Sequence, residues 1–346
     1  VMQAWFSHSQ LLMRSVSTLS LTLWGVSMIT PDKAVADTIT NSSSIVGTAG
    51  ARGAGNYSWA YGNQGDQGGN GISITGSQTY INTSTGSITG GDGGQGGWAQ
   101  HSGQGGTGGT GVAISGAGNI LNNAGSITGG LGGNSGNTIS VLGHYGYGGN
   151  AVVITGTGNV LINSGIITAG KNGRGTGSGI NDLMQSVNVT ATNNIVELDV
   201  GGSFVGNVNS TVSGNTFSLG GAGASTFDFS NSNSQIKGFS KFKVTGTSDW
   251  KILGTNTTTD DVTIDTEATL ELGTGGTSGL IVSGQPIHNN GTLVVNHSDT
   301  VTRNQIIDGN GALVQAGVGE TLITAADTYT GATSITGGTL ALAGDG

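Results

Sequence analysis

Short runs of alternating apolar and polar residues recur along this chain at a fixed interval. Three of them align without gaps over their first half: GISITGSQTYINTST from Gly71, GVAISGAGNILNNAG from Gly111 and AVVITGTGNVLINSG from Ala151, each 40 residues from the next. Ile74, Ile114 and Ile154 coincide, as do Gly76, Gly116 and Gly156, then Tyr80, Ile120 and Val160, then Ile81, Leu121 and Leu161. A second signature, GSITGG, GSITGG and GIITAG, carries Ile88, Ile127 and Ile167, the first copy being one residue longer here. A period of two predicts short strands, with Ile72 and Ile74 turned inward and Ser73 and Thr75 outward.

No such piece buries an apolar face alone. Stacking the copies at the strand spacing of ~4.8 Å would set like residue over like residue and generate a continuous aliphatic core, the physical logic of a solenoid. Asn and Gly at the corners are expected to supply the positive φ of tight turns. Between the strand pieces lie glycine-rich insertions at residues 47–71, 89–111, 129–150 and 169–179. Glycine brings no side chain to a core, so these are expected to project as surface loops or open flaps. They also hold the rings of Tyr57, Trp59, Tyr61, Trp98, Tyr145 and Tyr147, with His101 and His144 beside them. These eight residues are the candidate binding residues: either they staple glycine loops onto the solenoid or they form a ligand-binding ridge. The glycine-rich repeats run over residues 37–180. From 181 to 346 the glycine loops stop but alternation persists in NIVELDV, VTIDTEATLEL and GTLVVN, so the solenoid is expected to continue at about 20 to 25 residues per turn, with Trp250 capping or edging its core.

Composition narrows the class. The chain has 346 residues, of which 69 are Gly, only 8% are charged and 34% are hydrophobic. Helix is disfavoured, because Gly loses about 1 kcal/mol per residue there relative to Ala. Disorder would require less hydrophobicity and more charge. With a net charge of −9, no nucleic-acid partner is expected, since phosphate binding needs clustered Lys and Arg. The absence of Cys excludes disulfides, thiolate metal sites and Cys nucleophiles. No Ser has Gly at both −2 and +2, and no Lys precedes Ser or Thr, which excludes a nucleophile elbow and a phosphate-binding P-loop. Asp260, Asp261, Asp265 and Glu267 form the densest acidic stretch and read as a solvated turn plus outward strand positions. The five His residues share no metal-ligand spacing, so neither a metal nor a cofactor is expected.

The N-terminus reads as an address. Val16 to Ile29 is an apolar run of signal-sequence length, too short for the ~20 residues of a membrane span, and Arg14 stands before it. Ala34 and Ala36 then frame a small-x-small cleavage site before Asp37, so residues 1–36 are expected to be a removable secretory signal.

The last 40 residues carry a further pattern. Gly309, Gly311 and Leu313 lead to Thr321, Leu322 and Thr324, then to Asp327, Tyr329, Thr330, Gly331, Thr333 and Ile335, then to Gly337, Gly338, Thr339 and Leu340. This resembles the autotransporter-associated β-strand repeat, with Gln315, Ala325 and Asp327 departing from its usual Lys, Gly and Asn. The resemblance covers roughly residues 195–346. It implies an all-β fold, a right-handed parallel β-helix (solenoid) with glycine-rich loop insertions, exported to the outer membrane, cell surface or exterior of a Gram-negative bacterium through a C-terminal translocator barrel. The chain stops at Gly346 without such a barrel, so the resemblance implies a fragment. The expected function is that of a noncatalytic surface passenger in adhesion, aggregation or biofilm, whose partner is a host-cell or bacterial surface ligand. An exported hydrolase or polysaccharide lyase with its active part beyond Gly346, or a purely structural stalk, are the alternatives.

Overall fold

A computed structural model describes residues 37–55, 61–137, 143–175, 184–232, 235–256 and 261–343. The expected signal, with Ala34 and Ala36, lies outside the described residues, as do Tyr57, Trp59 and Asp260; Asp37 opens the first strand. Among the described residues the fold is all-β, and every strand pair is parallel. The single turn Phe229–Ser232 is the one helix among the described residues.

Ten strands lie side by side in chain order: Asp37–Asn41, Gln78–Asn82, Ile120–Asn123, Val160–Asn163, Ile195–Asp199, Thr216–Gly220, Lys241–Val244, Asp261–Ile264, Ile287–Asn289 and Ile307–Asp308. Between neighbours the chain leaves through other sheets and returns one step further along. Early circuits pass through a five-stranded sheet (Ser44–Val46, Ser87–Thr89, Ser126–Thr128, Ile166–Thr168, Ser203–Val205). They then enter a six-stranded one (Ile72–Ile74, Val112–Ile114, Val152–Ile154, Gln185–Val189, Asn207–Ser210, Ile236–Lys237). Later circuits use a second six-stranded sheet, from Ala222–Asp228 to Thr333–Ile335. The three described inserts that link strands 40 residues apart in register, and the shorter one after Thr168, all leave the five-stranded sheet and re-enter at the six-stranded one, so they emerge from one corner.

Register explains the core. Ile74 lies on Ile114, Ile114 on Ile154 and Ile154 on Val189, all four at most 1% exposed. Ile88, Ile127, Ile167 and Phe204 form a second column. In the ten-stranded sheet the inward column runs Tyr80, Leu121, Leu161, Val196, Phe217, Phe242, Val262, Ile287 and Ile307. Each fully buried aliphatic side chain in such columns contributes roughly 1.5–3 kcal/mol. One expectation needs correcting. The gap-free alignment set Tyr80 against Ile120 and Ile81 against Leu121, but Tyr80 pairs with Leu121 and Thr79 with Ile120. A one-residue slip exchanges the two faces of a strand, and only the observed register sets buried Tyr80 on buried Leu121 while leaving Ile120 39% exposed.

The corner asparagines also act differently from the expectation. Asn193 is the one Asn with positive φ among the described residues, whereas Gly118 and Gly158 turn their corners at 68° and 67°. Two sets of corner asparagines instead point inward and form ladders. Asn41 donates to Asn82 (2.9 Å), Asn82 to Asn123 (2.7 Å) and Asn123 to Asn163 (2.8 Å), and a second column joins Asn119, Asn159 and Asn194. These amides are nearly or wholly buried, so stacking supplies the partners that burial demands. Trp250 does not edge the core: it is 2% exposed, and its Nε1 donates to the carbonyl of Gly220 at 3.0 Å.

Candidate binding surface

The glycine-rich insertions are not open flaps. The inserts at 47–71, 89–111 and 129–150 each run out along one segment and back along another, and hydrogen bonds recur every third residue. In the outgoing set, Gly47, Gly50 and Gly53 donate to the carbonyls of Thr89, Asp92 and Gln95, and Gly90, Gly93 and Gly96 donate to those of Thr128, Leu131 and Asn134 (2.7–2.9 Å). In the returning set, Gly62, Gly65 and Gly68 donate to His101, Gln104 and Thr107 at 2.9 Å each, and Gly105 and Gly108 donate to His144 and Tyr147. Further glycines bridge the two sets: Gly94 donates to Asp66, Gly106 to Gly94, Gly133 to Gly106 and Gly146 to Gly133, all at 2.8 Å.

A three-residue period without positive φ or bonds inside a segment is the polyproline II type of backbone, with about 3.1 Å of rise per residue. Such segments have no internal hydrogen bonds and must find partners in neighbours, which here they do. Glycine is demanded by distance. A Cβ on Gly106 would collide with the carbonyl of Asp66, and one on Gly146 with the carbonyl of Gly106. The expectation that glycine cannot form an interior therefore fails, because this interior is made of backbone.

Every third residue faces out. On the outgoing set these are Asp92, Leu131 and Lys171 in one row, then Gln95, Asn134 and Arg174 in the next. On the returning set they are Gln64, Gln104 and His144, then Gln67, Thr107 and Tyr147. Tyr61 and His101 are joined by a parallel bridge, and their rings stack with centroids 4.8 Å apart. An open groove of about 390 Å³ lies here, and Tyr61, Gln64, His101, Gln104 and His144 line it.

Of the candidate ring residues, the fold thus brings together Tyr61, His101 and His144. Trp98 is half-buried and does not line the groove. Tyr145 occupies a position taken by Gly65 and Gly105 in the neighbouring segments; it is 7% exposed and packs edge-on against exposed Tyr147 at 5.8 Å. Gln64 and Gln104 were missed as candidates. The 40-residue interval that aligns them with His144 was the signal that could have found them.

Charge gathers elsewhere, on the outer face of the ten-stranded sheet. Lys243 pairs with Asp265 at 2.7 Å, and His288 sits between Asp308 (2.7 Å) and Asp261 (3.5 Å). Asp261 thus opens its strand at an outward position, and Asp265 follows directly after the strand's last residue, Ile264. Beside them, burial pushes the Glu197 carboxyl up to about 7, opposed by a hydrogen bond from Ser218 (3.0 Å) and reinforced by the charge of Asp199. Burial raises Asp199 as well. Among the described residues, no three His, Cys, Asp or Glu side chains converge to hold a metal ion. No protein-family model, no curated protein and no solved structure matches the chain.

Proposed function

We propose that this chain is a noncatalytic, exported surface passenger of autotransporter type, a right-handed parallel β-helix that carries an adhesive face. The stacked circuits act as the spacer, and the glycine array acts as the part that meets a ligand on a host-cell or bacterial surface. The observation that supports this reading is the emergence of the inserts from a single corner of the stack, gathered into one ordered surface whose outward residues lie apart from the core. Binding residues placed on segments held by a rigid scaffold are the usual arrangement of a recognition surface.

The reading is tested by displaying the full chain on bacteria and measuring attachment to host cells and self-aggregation, with and without residues 90–110. Gly90 and Gly109 lie against one another, so the two ends of this insert can be joined. Attachment is expected to fall to the level of bacteria lacking the chain. Attachment that survives the deletion would leave a stalk, and sequencing of exported protein that starts before Asp37 would remove the secretory signal from the reading.

A further inference from the structure

The groove beside Tyr61 has a chemistry of its own. Tyr61 is 74% exposed, and its stacking on His101 holds a ring platform at the groove edge. Gln64, Gln104 and His144 stand on three adjacent segments, fixed side by side by the bonds from Gly65 to Gln104 and from Gly105 to His144. The two rows lie one three-residue turn apart, about 9 Å along the segments. Among the described residues, the amides of Gln64 and Gln104 and the imidazoles of His101 and His144 have no protein hydrogen-bond partner. Among the described residues, no Asp, Glu, Lys or Arg lines the groove.

These features select among ligand classes. A lining without carboxylates, ammonium groups or guanidinium groups gives no fixed counter-charge to an anionic or cationic ligand. A peptide that recognises a protein by strand addition needs an unpaired backbone edge, yet the N–H groups of the lining glycines Gly62 and Gly103 are engaged by the carbonyls of His101 and Gly97. A pyranose fits what remains: its C–H face packs on an aromatic ring, and its adjacent hydroxyls match the donor and acceptor of a carboxamide. The open shape suits a chain of sugars lying across neighbouring segments, with successive residues meeting Gln64, Gln104 and His144.

The geometry points to a neutral-glycan binding site at Tyr61, Gln64, His101, Gln104 and His144. This assignment rests on the reading of the array as the ligand-bearing face, and it names the class of ligand. The test uses the purified full chain on an array of neutral, sialylated and sulfated oligosaccharides and of peptides, followed by calorimetric titration with the strongest neutral oligosaccharide. Tyr61→Ala and Gln104→Ala are each expected to weaken that titration by about ten-fold or more. Both side chains point to solvent, so thermal melting should stay unchanged and separates a lost contact from a lost fold. The assignment is overturned if no neutral oligosaccharide binds at millimolar concentration, if charged glycans or peptides bind more tightly, or if both variants bind like the parent. Because binding is read in solution, its failure leaves cell attachment by the array standing, and loss of attachment leaves a measured glycan affinity intact.

Discussion

Glu197 binds its proton more tightly than a free carboxyl does, because its carboxyl is partly buried beside a second carboxyl, that of Asp199, two residues along the same strand. Its folded pKa of about 7 lies above the ordinary value of 4.5, so the folded chain binds a proton that the unfolded chain releases between these limits. The sign follows: this group's stabilising contribution is fully present below pH 4.5 and is lost as pH rises through about 7. Asp199, also raised by burial, acts in the same direction. Urea midpoints are expected to fall between pH 4.5 and 7.5 in the parent and to fall less steeply in Glu197→Gln, whose amide can still accept from Ser218. Equal slopes in the two proteins would exonerate Glu197. None of this is visible in the string NIVELDV, where Glu197 and Asp199 look like ordinary outward strand positions. What perturbs them is the covering by Ser218 and Gly220 from the next strand, which only register reveals.

At the scale of elements, the strands and the glycine segments differ in how far they could be read. Ile74, Ile114 and Ile154 were legible because alternation and a fixed interval mark them twice. The pairing of Tyr80 with Leu121 was not, since it depends on the number of residues spent at a corner. The packing of the glycine segments was illegible for a deeper reason: their interior is built of backbone, so neither a period of two nor one of 3.6 exists to be seen. The period of three is nonetheless written in the Gly-Gly pairs at 93–94, 96–97, 105–106 and 108–109. Ring residues drew attention by type, whereas Gln64 and Gln104 gained their place only from adjacency across segments. Hydrogen exchange separates packed segments from loops. The amides of Gly94, Gly106 and Gly133 are bonded inside the array and should exchange on the order of 100-fold or more slower than in an unstructured chain. Exchange at the unstructured rate would return the inserts to the status of flaps.

For the molecule as a whole, the topology means that each circuit touches mainly the circuits before and after it. Stability in such an arrangement is close to a sum of neighbouring terms. Ile114→Ala and Leu293→Ala each remove a fully buried side chain, from strands that share no partner, and each should cost about 2–5 kcal/mol. The double variant should lose the sum within ~0.5 kcal/mol in denaturant titrations; strong coupling between the two would mean that the columns act as one body. The glycine array adds a different consequence. Where glycine positions are crowded by neighbouring backbone and every third position merely faces water, change becomes cheap at the outward position and costly at the crowded ones. Lineages descending from this chain are free to rewrite the row of Gln64, Gln104 and His144 while the lattice beneath it stays still, much as type is reset on an unmoving press.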